Sequence, residues 1–269
     1  MADQLGVFRS LKMLAGYRQR VLEGVVHDIR QRYIGSVFGS LWALLFPLLQ
    51  LGIYAGLYSV VFKVRPSGLT EAGYVILVFS GLVPLMAFNE AMTAAASSLS
   101  SHKNLLLNTV FPAELIPLRA ALAAQITSIF GLVITLIAGF SLGRTSWQAV
   151  LLVPVFWILL LMFAMGIGWM LSLLSLVARD IQHGLGLVTM LLFVLSPFAY
   201  TPEMVPQALK PLLYLNPMSY YVMTFQQLIC YGTWPDPVHA GGAVLLGLTS
   251  FFIGFSVFRR AKHVFFDYA

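Results

Sequence analysis

The sequence predicts an all-α integral membrane protein: six transmembrane helices, an N-terminal amphipathic interface helix, and a re-entrant hairpin before the last span. Three observations predict it. Of 269 residues, 59% are hydrophobic and only 10% charged, whereas soluble domains carry about 25% charged residues. Six stretches are almost free of Asp, Glu, Lys and Arg, each reaching the ~18 residues a helix needs to cross a bilayer. The cations collect between those stretches, mostly in alternate loops, which is a topology signal. Residues 1–269 are read as one transmembrane domain.

The first 30 residues are not a span. Val7, Leu11, Leu14, Leu22, Val25 and Ile29 recur at helical spacing with Arg9, Lys12, Arg18 and Arg20 between them. That pattern suits a helix over 5–30 lying on the cytoplasmic leaflet; a soluble helix packed on a partner is the alternative. Asp28 and Arg32 stand at i,i+4 in the favourable acid-first order. No uncharged apolar core of a signal peptide is visible near the start.

The expected spans are 33–62, 73–101 (with Glu90 inside it), 116–141, 147–177, 181–201 and 238–258. Residues 203–235 contain a further charge-free run, but Pro211, Asn216, Pro217, Gln226 and Gln227 interrupt it. In lipid every freed backbone group needs a partner, so this segment is expected to be an extracytoplasmic re-entrant region. Charge supports the count. Six spans leave 12 of the 16 Lys/Arg on the cytoplasmic side and four (Lys63, Arg65, Arg144, Lys210) outside, with both termini cytoplasmic. Seven would move one terminal basic cluster across the membrane.

Several chemistries lack their motifs. No G-x-x-x-x-G-K-[ST] loop is present, so triphosphate binding in the P-loop manner belongs to another polypeptide. There is no H-E-x-x-H and no Cys/His cluster, and Cys230 is the single cysteine, so no metal site is expected. One acid and no Lys or Arg sits deep in the spans, unlike the ionisable chains of ion pumps. The net charge of +6 is explained by topology, and no nucleic-acid partner is expected.

Read in order, a set of short strings resembles the ABC-2 type permeases that export cell-surface polysaccharides such as O-antigen, capsule and teichoic acid. The strings are Asp28-Ile29-Arg30-Gln31-Arg32-Tyr33 followed by Ser36, Gly39, Leu41-Trp42 and Pro47; then Gly81-Leu82-Val83-Pro84 with Phe88-Asn89-Glu90; then Asn104 to Leu107 leading into Phe111-Pro112-Ala113-Glu114 and Pro117. Arg179-Asp180, Ser196-Pro197-Phe198 and Tyr214-Leu215-Asn216-Pro217 complete the set. Pro84 and Leu107-Asn108 depart from the residues common there.

The resemblance implies a bacterial inner-membrane half-transporter without nucleotide-binding motifs. It implies a homodimer, two copies of a separate ABC ATPase that binds the ATP and Mg, a cargo of polysaccharide carried on a lipid, and no cofactor on this chain. It also implies that residues 101–110 form the coupling helix. Within that segment His102, Lys103 and Asn104 precede Leu105, Leu106 and Leu107, a pattern suited to a short helix seated in a groove of a partner, or to a plain loop.

The remaining candidates each have a bland counterpart. Trp42, Phe46, Gln50, Tyr54 and Tyr58 recur every four residues. Such a row drifts by about 40° per step, so only three or four neighbours share a face. Gln50, Tyr54 and Tyr58 make the best glycan-facing set, since rings and hydroxyls suit weak, repeated contact with sugars; ordinary helix packing or interface anchoring is the alternative. Glu90 either lines the channel or pairs with Asn, Gln or Arg119 of a neighbouring helix. Arg30, Arg32 and Tyr33 suit a lipid-linked pyrophosphate at the cytoplasmic surface, or plain topology anchoring. Arg179-Asp180 is a local ion pair or a second ATPase contact. Tyr200, Tyr214, Tyr220 and Tyr221, beside the helix-breaking Ser196-Pro197 and Asn216-Pro217, would shape an outer gate or simply flank helix ends. Gly166 and Gly168 read as packing features.

The rival functions are export of a drug or lipid by the same class of machine, an intramembrane enzyme acting on lipid-linked sugars, and a proton-coupled flippase. The enzyme would need paired carboxylates or a His/Asp set at one membrane face, which the sequence does not offer.

Overall fold

A computed structural model describes residues 16–57, 68–102, 112–178 and 180–266. Among them the chain is helical: α1 (Arg18–Tyr33), α2 (Trp42–Gly56), α3 (Glu71–Ser101), α4 (Leu115–Ser141), α5 (Trp147–Val177), α6 (Asp180–Leu195), α7 (Lys210–Leu215), α8 (Pro217–Ile229) and α9 (Pro237–Phe266). Among the described residues four helices are long and apolar enough to cross a membrane: Glu71–Ser101, Leu115–Ser141, Trp147–Val177 and Pro237–Lys262. Shorter apolar helices, Gly39–Tyr54 and Asp180–Leu195, stand where the first and fifth spans are expected.

Helix α3 is the hub, packing against α4, α5 and α8. Thr70 caps its start, the hydroxyl accepting the Gly73 N–H at 3.2 Å, which satisfies one of the free donors of the first turn. Its 31 residues span about 46 Å at 1.5 Å per residue. Pro84 sits inside this helix. Most of its faces are buried, and many buried positions are small: Ala87, Ala91, Ala95, Ala96 and Ser98. In lipid the apolar effect does not drive helices together, so close approach and dispersion must do so.

The tightest crossing joins α5 and α9. A Cβ on Gly166 would lie 2.1 Å from the Ser250 carbonyl oxygen, and one on Gly254 would lie 2.0 Å from the Gly166 carbonyl oxygen. The Ser250 hydroxyl donates to Phe163 O at 3.0 Å across the same contact. A Cβ on Gly168 would meet the Ala95 methyl at 2.6 Å. The packing role read from Gly166 and Gly168 is what the structure shows.

Between α6 and α9 the chain forms the irregular region expected from its prolines. Helix α6 stops at Leu195, just before Ser196-Pro197, and α8 starts at Pro217. The two breaks are tied together. The Asn216 side chain caps α8 by accepting the Met218 N–H at 2.9 Å, and its Nδ2 donates to Ser196 Oγ at 3.0 Å. Gln226 Nε2 donates toward two carbonyls at the break, Pro197 O (2.9 Å) and Phe198 O (3.2 Å), and reaches Leu77 O of α3 at 3.4 Å. The sequence marks Gln226 as an interruption of an apolar run; its physical role is to satisfy the interrupted backbone. Helix α8 has 13 residues, about 20 Å, too short for a ~30 Å hydrocarbon core, yet it is buried among α3, α5 and α9.

The N-terminal helix α1 lies on α4, burying Val21 and Gly24. The expected Asp28–Arg32 pair gives way to a longer-range one. The Arg119 guanidinium on α4 grips both oxygens of Asp28, with Nε to Oδ2 at 2.6 Å. Gly24 makes room, since a Cβ there would lie 2.5 Å from Arg119 Cδ. A bidentate guanidinium–carboxylate pair is stronger and more directional than an exposed i,i+4 pair.

Candidate functional site: a polar groove along helix α3

The stretch of α3 from Asn89 to Ser101 carries Asn89, Glu90, Thr93, Ser97 and Ser101. Asn89 and Glu90 stand four and three residues before Thr93, and Ser97 and Ser101 follow at steps of four, which places them along one side of the helix. Two cavities adjoin along this face. One, about 710 Å³, is lined by Arg32 of α1, by Asn89, Glu90, Thr93 and Ser97 of α3, and by Gly186, Thr189 and Phe193 of α6. The second, about 460 Å³, reaches toward the helix end between Asp28, Gln31, Ser101 and His102, with Ala120 and Ala123 of α4 as its apolar wall. Arg32, Ala94 and Ser97 line both, so they form one polar track running from the end of α3 to mid-helix.

Its chemistry is that of weak hydrogen bonding. Glu90 lies near Ser128 of α4 and in the field of Arg32, while its Oε2 and Asn89 Oδ1 are buried with no hydrogen-bond partner among the described residues. Both residues line the groove, beside an arginine and several hydroxyl side chains. Gln182 at the start of α6 donates to Ser100 Oγ at 3.0 Å, pinning one wall to the other. Elsewhere α6 buries only Leu185, and Leu187, Met190, Leu191 and Val194 are exposed. Among the described residues no group of three His, Cys, Asp or Glu side chains could hold a metal.

The expected site residues are distributed as follows. Glu90 and Arg32 come together in the groove. Glu90 does not pair with Arg119, which is committed to Asp28. Arg30 is exposed, and Tyr33 turns toward α4, its hydroxyl 3.5 Å from Thr127 Oγ1. The aromatic row of the first span divides as its drift requires. Trp42 and Phe46 are exposed, whereas Gln50 donates to Met86 Sδ at 3.2 Å and Tyr54 meets the Phe79 ring edge-on at 6.3 Å, both against α3. Tyr58 lies outside the described residues.

His102 ends α3, its Nδ1 2.9 Å from Ser98 O, and Lys103, Asn104, Leu105, Leu106 and Leu107 lie outside the described residues, as does Arg179. The four gate tyrosines separate. The Tyr200 hydroxyl donates to Leu195 O at 3.0 Å and that of Tyr220 to Tyr214 O at 3.0 Å, and Tyr214 is exposed. Tyr221 departs from the gate expectation. It is fully buried, stacks on Phe163 at 5.7 Å, and donates to Ala243 O at 2.7 Å. It is a core residue, because α8 turns that face inward onto α5 and α9.

Thr93, Ser97 and Thr189 escaped the sequence reading. Their signal was present as a polar stripe at helical spacing, but small hydroxyl residues inside a span read equally well as close-packing positions.

The Asp28–Arg119 pair holds α1 beside this track, which allows a direct test. Arg119→Leu is expected to leave Asp28 unpaired and to lower stability by about 2–3 kcal/mol, below the ~3–5 of a fully buried pair because both side chains keep some exposure. The reciprocal swap of Asp28 and Arg119 should recover most of the loss. Thermal unfolding of the detergent-solubilised protein measures it; unchanged melting in Arg119→Leu would show that the pair holds nothing.

Comparison with known proteins adds the following. Residues 25–230 match the ABC-2 type transporter family. The chain is 24% identical over 261 residues to an O-antigen export system permease protein of Myxococcus xanthus, covering 96% of this chain and 98% of that protein. It is 26% identical over 239 residues to an O-antigen export system permease protein of Klebsiella pneumoniae, covering 88% and 90%. It is 22% identical over 242 residues to a polysialic acid transport protein of Escherichia coli, covering 88% and 91%.

Proposed function

Because the chain belongs to the ABC-2 type transporter family, we propose that it is the permease subunit of an ATP-driven exporter that moves cell-surface polysaccharide out of the cell. The observation that carries this reading is the track on α3, where Glu90, Arg32 and several hydroxyl side chains line two adjoining cavities beside long apolar helices. The relatives named for O-antigen export and polysialic acid transport, matched over most of their length, support the choice of a glycan as cargo.

The finer picture is as follows. The first and fifth apolar helices complete six spans, with residues 203–235 dipping in from outside and both termini in the cytoplasm. Two copies face each other across the exposed sides of α2 and α6, enclosing the two grooves as one channel in the inner membrane. Two copies of a separate ATPase engage residues 101–110. A moving polymer needs contacts it can leave as easily as it enters them, and scattered hydroxyls with one acid meet that need better than a deep pocket. Arg32, at the cytoplasmic mouth, suits the phosphate of a lipid-linked cargo.

Deleting the gene and measuring surface glycan and intracellular lipid-linked glycan in the same cells tests the reading. Loss of surface polymer with accumulation of full-length polymer inside is the expected result. Absent or altered polymer in both pools would point to an enzyme of glycan synthesis. Unchanged pools would leave the transporter class standing with another cargo, a drug or a lipid.

A further inference from the structure

Glu114 stands three residues beyond residues 103–111 and immediately before α4. It is 2% exposed, an unusual place for a carboxylate near a helix end. Two bonds hold it, and both run to the same body. Its side-chain Oε1 accepts from Lys262 Nζ of α9 at 2.8 Å. Its backbone carbonyl accepts from Trp169 Nε1 of α5 at 3.0 Å. Its other oxygen, Oε2, is buried with no partner among the described residues, so Lys262 is the cation that compensates the buried charge.

Trp169 is itself fixed. It is fully buried, and its ring packs on Phe251 and Phe255 of α9, each at 5.1 Å. The two helices that receive these bonds cross with backbone against backbone at Gly166 and Gly254. A contact so close cannot slide or tilt without collision, so α5 and α9 move as one piece.

A buried ion pair is weak support for stability, since an apolar pair of similar volume would serve as well or better. What it does supply is direction and position. We propose that the Glu114–Lys262 pair is a positioning strut: it ties the start of α4, which follows the 101–110 segment in the chain, to the α5–α9 pair, so that displacement of the start of α4 moves two long helices with it. This assignment rests on the reading, given above, that an ATPase engages residues 101–110. Lys262 then contributes to coupling although it touches neither cargo nor nucleotide.

The test uses the complete assembly of this chain with its ATPase subunit in membrane vesicles, comparing wild type, Glu114→Gln, Lys262→Met and the reciprocal swap Glu114→Lys with Lys262→Glu. ATP hydrolysed and polymer exported are measured in the same vesicles, each per assembled complex, alongside the melting temperature of the purified assembly. The expected result is that either single variant raises the ATP used per polymer by at least about tenfold, the size of a typical coupling effect, and that the swap returns it to within about twofold.

A ratio unchanged in the single variants, whether their melting temperature falls or not, overturns the strut and leaves the pair as a packing feature at most. Should the single variants fail to assemble, the swap decides: a swap that assembles with a wild-type ratio supports the strut, and one that assembles with a raised ratio overturns it. Failure of the swap to assemble as well would also overturn it, since the pair would then serve folding. Wild-type vesicles that hydrolyse ATP without exporting polymer would overturn the export reading, and the strut with it, an outcome distinct from intact export with an unchanged ratio.

Discussion

Replacing Gly166 by leucine is expected to leave no stably assembled protein. The hydrogen of Gly166 faces the backbone of α9, and even a methyl group would lie 2.1 Å from Ser250 O and 2.3 Å from Ser250 Oγ. The obstacle is largely main chain, which has no rotamer to adopt, so the helices must part. Overpacking of a tight core typically costs 1–3 kcal/mol; here separation would also forfeit the Ser250–Phe163 bond, the Gly254 contact and dispersion along the crossing. A loss of about 3 kcal/mol or more is expected, enough to unfold a marginally stable protein. Gly241→Leu on α9, where a Cβ would meet open space, is the matched control. The readout is the monodisperse fraction after solubilisation and the melting temperature. Wild-type behaviour of Gly166→Leu would refute the close crossing.

Filling the groove should abolish export while sparing the fold. Ser97 lines both cavities and its hydroxyl bonds only locally, to Thr93 O at 3.0 Å. Ser97→Trp places an indole in the stretch the two cavities share, with little of the core to disturb. Export is expected to fall by at least about tenfold, equivalent to ~1.4 kcal/mol added to the limiting barrier, with assembly and melting temperature retained. Thr93→Trp, one turn away, should do the same. Ile137→Trp on the exposed side of α4 should be silent. The assay is surface polymer at matched protein levels. Full export through a groove blocked at Ser97 and at Thr93 would mean that cargo takes another route, the aromatic face of Trp42 and Phe46 being the next to examine.

The same groove tests the acid. Glu90→Gln keeps the shape and the hydrogen-bonding capacity but removes the charge near Arg32. If that charge matters for moving the polymer, export should drop several-fold with normal assembly, and Glu90→Asp should recover part of it. Equal export by Glu90→Gln and wild type would reduce Glu90 to a neutral groove wall.

Much of the architecture was legible because a membrane imposes length and polarity rules on individual segments. Among the described residues, four long apolar helices, Glu71–Ser101, Leu115–Ser141, Trp147–Val177 and Pro237–Lys262, overlap segments read as spans. The irregular stretch before α9 was legible because Pro and Asn mark where a helix cannot continue. Gly166 and Gly168 were legible because small residues have few other reasons to recur inside a span. The partner of Asp28 was not legible: i,i+4 spacing names a neighbour along one helix, while Arg119 comes from 91 residues away. Tyr221 was misplaced for a related reason, since a tyrosine beside Asn216-Pro217 reads the same whether its face meets water or α5.

By itself, the sequence determined which segments are apolar enough for a membrane, where they break and which family's motifs the chain carries. These properties belong to single segments, set by the cost of exposing backbone and charge to hydrocarbon. The tertiary structure alone decided that Glu90, Arg32, Thr93 and Ser97 share a groove, that Gln226 mends the break at Pro197, and that Glu114 meets Lys262. Each of these pairs groups far apart in the chain. Their meeting depends on the rotation of one helix against another, and that rotation is selected by close packing summed over many small contacts, which no single segment encodes.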